Sequence, residues 1–142
     1  MRARFIGVWR LVSCERKFAD GRVSNPYGEK PVGRITYDQA GRMSAILMRT
    51  GRQSTVPAGL SLIAGHASGE EIRDAVDGFT AYFGTFEVDE STQLVIHHVQ
   101  ACLVPSWVGT DLKRTYRFHE NRLTLTADAT GVTELIWERE AD

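Results

Sequence analysis

Arg114 stands on the wrong side of an otherwise regular alternation. In Asp111-Leu112-Lys113-Arg114-Thr115-Tyr116-Arg117-Phe118-His119 the odd positions carry Asp, Lys, Thr, Arg and His, the composition of a solvated strand face. Leu112, Arg114, Tyr116 and Phe118 therefore share the opposite, inward face. A guanidinium among apolar side chains is costly unless it is paired or opens onto a wet cavity. Its fork of donors suits a carboxylate or an enolate. Two readings of Arg114 are open: it contacts a ligand, or it pairs with a core group and braces the fold.

His97 raises the same question. His97 and His98 are neighbours on an extended segment and point to opposite sides. Val95, Val99 and Ala101 go with His97, and Gln100 goes with His98. That places His97 inside and His98 outside. An inward imidazole is either a structural group with its hydrogen bonds satisfied or a donor, acid or base toward a ligand, with a reference pKa of about 6.5. His97 is the one candidate for a catalytic residue.

The same alternation test yields Ile35, Tyr37, Phe86, Val88, Leu123 and Leu125 as inward, with Leu135, Trp137 and Arg139 sharing one face of the last segment. For 42–49 both faces are mixed, so Met43 and Met48 take no assignment. Candidate ligand contacts are Arg114, His97, Tyr37, Tyr116, Tyr82, Phe86 and Trp107, the last in a loop at Pro105-Ser106-Trp107-Val108-Gly109 where it lines a cavity mouth or plugs one end.

Other chemistries find no residues. Two histidines adjacent on a strand cannot grip one metal, and no His or Cys pair has ligand spacing, so no metal is expected. Gly7, Gly33 and Gly41 lie far apart and open no helix, which removes a phosphate loop. Gly-x-Ser-x-Gly is absent, and inward carboxylates for a hydrolytic acid pair are missing. No cofactor is expected.

The elements that must hold these residues are strands. Turn clusters recur at Asp20-Gly21, Asn25-Pro26-Tyr27-Gly28, Asp38-Gln39-Ala40-Gly41, Asp89-Glu90-Ser91-Thr92, Glu120-Asn121 and Thr130-Gly131. Runs rich in Val, Ile, Thr, Phe, Tyr and Trp lie between them, the pattern of a sandwich or barrel. One segment differs. Ser68-Gly69-Glu70-Glu71 is a capping box, followed by Ile72, Ala75, Val76 and Phe79 at helical spacing, so an amphipathic helix is predicted from Ser68, ending near Gly78. It acts as a gate or as fixed packing. The stretch 54–67 is small and loop-like, a lid candidate.

At 142 residues the chain is expected to be one domain, 1–142, able to bury a core without crosslinks. With 42% hydrophobic and 25% charged residues it is neither disordered nor fibrous. A net charge of −1 gives no electrostatic reason to expect nucleic acid or an anionic membrane. No apolar run follows Met1-Arg2-Ala3-Arg4-Phe5, since Arg10 and Glu15 interrupt, and no membrane-length segment exists. Cys14 and Cys102 are read as free thiols and the protein as cytoplasmic. The expected architecture is all-β, a closed antiparallel barrel of about eight to nine strands with one inserted helix. Such a barrel is either filled by side chains or holds one small ligand.

Gly7-Val8-Trp9 at the first strand and Trp137-Glu138-Arg139 on the last resemble the calycin signature of lipocalins and fatty-acid-binding proteins. With Pro31-Val32-Gly33-Arg34-Ile35-Thr36-Tyr37, Gly41-Arg42-Met43-Ser44, Ala81-Tyr82-Phe83-Gly84-Thr85-Phe86, His97-His98-Val99, Pro105-Ser106-Trp107-Val108-Gly109-Thr110 and Leu123-Thr124-Leu125-Thr126, the chain resembles the bacterial and fungal lipocalin-like domain family over nearly its whole length. The resemblance implies a lipocalin-like barrel with an internal cavity, and a brace in which Arg139 caps Trp9 at one barrel end. Similar barrels in natural-product pathways sometimes act as cyclases or isomerases. Three functions follow as expectations: binding of a small hydrophobic or amphiphilic molecule, largely apolar or weakly acidic, inside the barrel cavity; a cofactor-free cyclase or isomerase of a polyketide-like substrate in the same cavity; or a homodimeric interaction module with a filled barrel.

Overall fold

A computed structural model describes residues 1–128 and 131–141. The elements run α1 (Arg2–Phe5), β1 (Gly7–Lys17), β2 (Val23–Ser24), β3 (Val32–Tyr37), β4 (Arg42–Met48), α2 (Gly69–Asp77), β5 (Phe79–Asp89), β6 (Leu94–Cys102), a 3-10 turn (Pro105–Trp107), β7 (Asp111–His119), β8 (Arg122–Asp128) and β9 (Val132–Arg139). Strands follow one another in the sheet in chain order from β3 to β9, and β9 returns to β1. The result is a closed eight-stranded antiparallel barrel, with β2 added at the outer end of β1. Closure leaves no free edge along most of the sheet. No helix among the described residues is long and apolar enough to cross a membrane. Of the expected turn Thr130-Gly131, Thr130 lies outside the described residues.

Inward positions follow the period of two. Trp9, Leu11, Ile35, Tyr37, Met43, Ala45, Leu47, Phe86, Val95, Val99, Leu123, Leu125 and Trp137 are buried. The alternation of β4 is now plain: Met43, Ala45 and Leu47 point inward, whereas Ile46 stands half-exposed outside. Two irregularities bend the wall, one between Leu11 and Ser13 on β1 and one between Phe83 and Gly84 on β5. At the second, a Cβ on Gly84 would sit 1.8 Å from the backbone oxygen of His98. Gly84→Ala must push two paired strands apart, so a loss of about 1–3 kcal/mol is expected from denaturant unfolding.

One barrel end is closed by residues that the strand pattern did not single out. The four-residue α1 drives Phe5 into the barrel end, where it is wholly buried. Its ring lies 5.4 Å from Tyr37, 5.1 Å from Tyr116 and 4.9 Å from Phe118 in edge-on geometry, with Phe86 at 6.5 Å. The Trp9 indole N–H donates to the Phe5 carbonyl at 2.9 Å, and the Arg139 guanidinium stacks 4.2 Å above the Trp9 ring. Arg139 also donates to the carbonyls of Ile6 (2.7 Å) and Arg4, tying α1 across the end.

Candidate functional site

The capped end leaves a cavity of about 380 Å³ above it, inside the barrel. Ile35, Ala45, Leu47, Leu125, Leu135 and Trp137 form its apolar wall, and Tyr82, His97, Trp107 and Arg114 line its polar side. The interior is therefore not packed solid. Cavities of this class span roughly 300–1,000 Å³, so the space suits a compact molecule rather than a long acyl chain.

Four of the seven predicted ligand contacts line the cavity: Arg114, His97, Tyr82 and Trp107. Three do not. Tyr37, Tyr116 and Phe86 face inward, but the Phe5 plug draws them into the aromatic cap beneath the cavity. Trp107 sits on the 3-10 turn with its ring edge-on to Tyr82 at 6.2 Å. Tyr27 and Thr80 were not anticipated; their hydroxyls meet at 2.6 Å in the wall. The only available signal was Tyr27 in its turn cluster, which carries no periodicity.

No residue of 54–78 lines the cavity. The helix forms as its capping box predicts, Ser68 Oγ accepting from Glu71 N–H at 3.1 Å, but it spans Gly69–Asp77 and Phe79 already belongs to β5. None of its residues is buried, and Arg52 ties it to the rim by donating to the Ala75 carbonyl while stacking over Phe79.

His97 is 1% exposed and lies between two tyrosines, with Tyr37 Oη 2.7 Å from Nε2 and Tyr82 Oη 2.9 Å from Nδ1. Burial, reinforced by the positive charge of Arg114, pushes its pKa down to about 3, so the ring is neutral and carries one proton. The location of that proton follows by elimination. Tyr37 is fully buried, and among the described residues its hydroxyl meets no other polar partner, whereas Tyr82 lines the cavity, so the tautomer that satisfies both has Tyr37 O–H donating to Nε2. The ring proton then sits on Nδ1 and is donated to Tyr82 Oη. The Tyr82 hydroxyl proton is left free for whatever occupies the cavity. Burial raises the pKa of both tyrosines, so each remains a neutral donor.

Arg114 donates to the backbone carbonyl of its neighbour Lys113 at 3.1 Å and has no ion pair among the described residues. Arg16 and Arg114 stand at the cavity with one carboxylate among the described residues, Asp128. An acidic protein thus presents a cationic interior rim. A larger crevice of about 590 Å³ runs outside the barrel beside Arg10, Arg34, Ile46 and Glu140. Its charges are already matched, Arg34 with Glu140 and Arg10 with Glu138, so it offers no unmatched group.

His98 is outside, its Nδ1 2.6 Å from Asp111 and its Nε2 3.1 Å from Glu87. The hydrogen bond to Asp111 raises its pKa above the usual 6.5. A raised folded value means stability that is complete below 6.5 and is lost as pH rises through the folded value. His98→Gln should therefore flatten the decline of the melting temperature as pH rises above 6.5, measured against the parent protein.

The sequence matches the family described as a lipocalin-like domain over residues 6–140. The chain belongs to that family, whose barrel fits small-molecule binding in general. A search of curated proteins finds no match.

Proposed function

We propose that the barrel binds one small, largely apolar molecule bearing a carboxylate or enolate. The observation that carries this reading is an apolar cavity whose polar side holds the Arg114 guanidinium, without an ion pair among the described residues, and the Tyr82 hydroxyl, which is hydrogen-bonded to His97. Arg114 supplies charge and a planar fork, and Tyr82 supplies a neutral donor. His97 is a positioning residue: both its nitrogens are spent on tyrosines, and it fixes which way the Tyr82 proton points. That arrangement favours binding over the cyclase or isomerase reading, because His97 offers no free nitrogen to a substrate. The hollow interior likewise speaks against the filled-barrel interaction module.

Native mass spectrometry of gently purified protein is expected to show a co-purified small acid. Arg114→Met should weaken binding of biphenyl carboxylate by about ten- to a hundredfold in calorimetry, the range for a lost hydrogen bond to a charged group. An affinity within twofold of the parent would contradict the assignment.

A further inference from the structure

We infer that two copies of this chain pair through the outer wall of β3, β4 and β5, in a two-fold contact where Phe83 of each copy enters a groove on the other. The inference is independent of what the cavity holds, because it concerns the opposite face of the wall.

The alternation that sends Met43, Ala45 and Leu47 inward sends Ser44, Ile46 and Met48 outward. Apolar side chains gather there. Val32 pairs with Met48, Ile46 with Ala81, and Phe83 with Ala101, while the Leu103 N–H donates to the Ala81 carbonyl at 2.9 Å. Cross-strand partners share a face, so these residues form one patch running from β3 to the end of β6. Val32 is 50% exposed, Ile46 51%, Phe83 53% and Leu103 39%. Those four side chains alone leave roughly 400 Å² of apolar surface in water, the size of the largest patch on a typical monomer and one that is often functional.

Shape and charge point to a second copy as the occupant. The crevice of about 590 Å³ outside the barrel runs beside Val32, Ile46 and Met48 and reaches Ser44, the cross-strand partner of Phe83. One face therefore carries both a knob and a hole. A two-fold contact requires this, because a residue i that meets j on the partner must have j meeting i in return. The rim is balanced in charge: Arg34 pairs with Glu140 at 3.3 Å, Arg10 with Glu138 at 3.2 Å and Arg42 with Asp38 at 2.7 Å. Such a rim selects no charged partner and does not repel an identical copy. With the rim included, the face approaches the area of about 800 Å² that each partner covers in a stable dimer.

Sedimentation equilibrium of the parent protein is expected to give twice the chain mass, with dissociation in the micromolar range. Phe83→Arg and Ile46→Glu each set a charge against apolar surface in both halves of the contact. Each variant alone should be a monomer, with dissociation raised about a hundredfold or more. Both positions are half-exposed, so the fold is kept, and circular dichroism checks it. Mixed in equal amounts, the two variants should pair with each other. One half of the contact is then intact, and the other sets the introduced guanidinium beside the introduced carboxylate. A parent protein that stays monomeric up to about 100 μM would overturn the inference and leave the face to a different partner. Dimers that persist in either variant, or variants that fail to pair on mixing, would overturn it as well. None of these outcomes bears on the acid site in the cavity.

Discussion

Trp9→Ala is expected to destabilise the protein by about 3–5 kcal/mol, the range for emptying a large aromatic site in a well-packed interior. Trp9 is 1% exposed and sits where three things meet: the Phe5 carbonyl that accepts its N–H, the Arg139 guanidinium over its ring, and the Phe118 ring 6.1 Å away. Removing the indole opens a void and also unties α1, so the Phe5 plug loses its anchor. Trp9→Phe separates the two effects. It keeps most of the packing and leaves the Phe5 carbonyl unpaired, at a cost of about 1–3 kcal/mol. Urea unfolding with an unchanged slope would attribute both losses to stability. Losses below 1 kcal/mol for Trp9→Ala would mean that the end cap does not hold the barrel.

Stability should also fall steeply as the medium becomes mildly acidic, and His97 should be the cause. Its folded pKa of about 3 lies below the ordinary 6.5, so between these values the unfolded chain takes up a proton that the folded protein refuses. Stability then declines as pH falls from 6.5 toward 3, by up to about 1.4 kcal/mol per pH unit. Asp38, Glu71 and Asp89, whose folded pKa values are lowered mainly by hydrogen bonds, lose their contribution only as pH falls below about 4.5. The window from 6.5 down to 4.5 therefore belongs to His97, and a decline of roughly 2–3 kcal/mol is expected across it. His98 acts on the other side of 6.5, where its raised pKa makes stability fall with increasing pH. His97→Gln keeps a donor and an acceptor between the two tyrosines without a titrating ring, and should level the acid limb. A limb that persists in His97→Gln would place the proton uptake elsewhere.

Much of the barrel was legible because a strand with one wet face declares its register. The alternation on β7 placed Arg114 inside from its neighbours alone, and the pair His97–His98 was divided correctly by Val95, Val99 and Gln100. Strands with two mixed faces gave no such signal. On β4 the outer face carries Ile46 and Met48, so hydrophobicity did not distinguish it from Met43, Ala45 and Leu47. The end cap was hidden for a different reason. Arg2-Ala3-Arg4-Phe5 is too short to show a helical period, and what seats it is tertiary: Arg4 over Phe118 at 4.3 Å, Arg139 on its carbonyls and Trp9 on Phe5. Without that plug, Tyr37, Phe86 and Tyr116 read as cavity wall. An inward residue and a lining residue are different things, and only the depth of the plug separates them.

The most direct measurement is a crystal soaked with an iodinated biphenyl carboxylate and examined by anomalous diffraction. The iodine peak should fall inside the barrel, with the carboxylate within hydrogen-bonding distance of Arg114 and Tyr82. Iodine found only on the outer surface, with side chains collapsed into the 380 Å³ space or Arg114 turned outward to solvent, would contradict the proposed site.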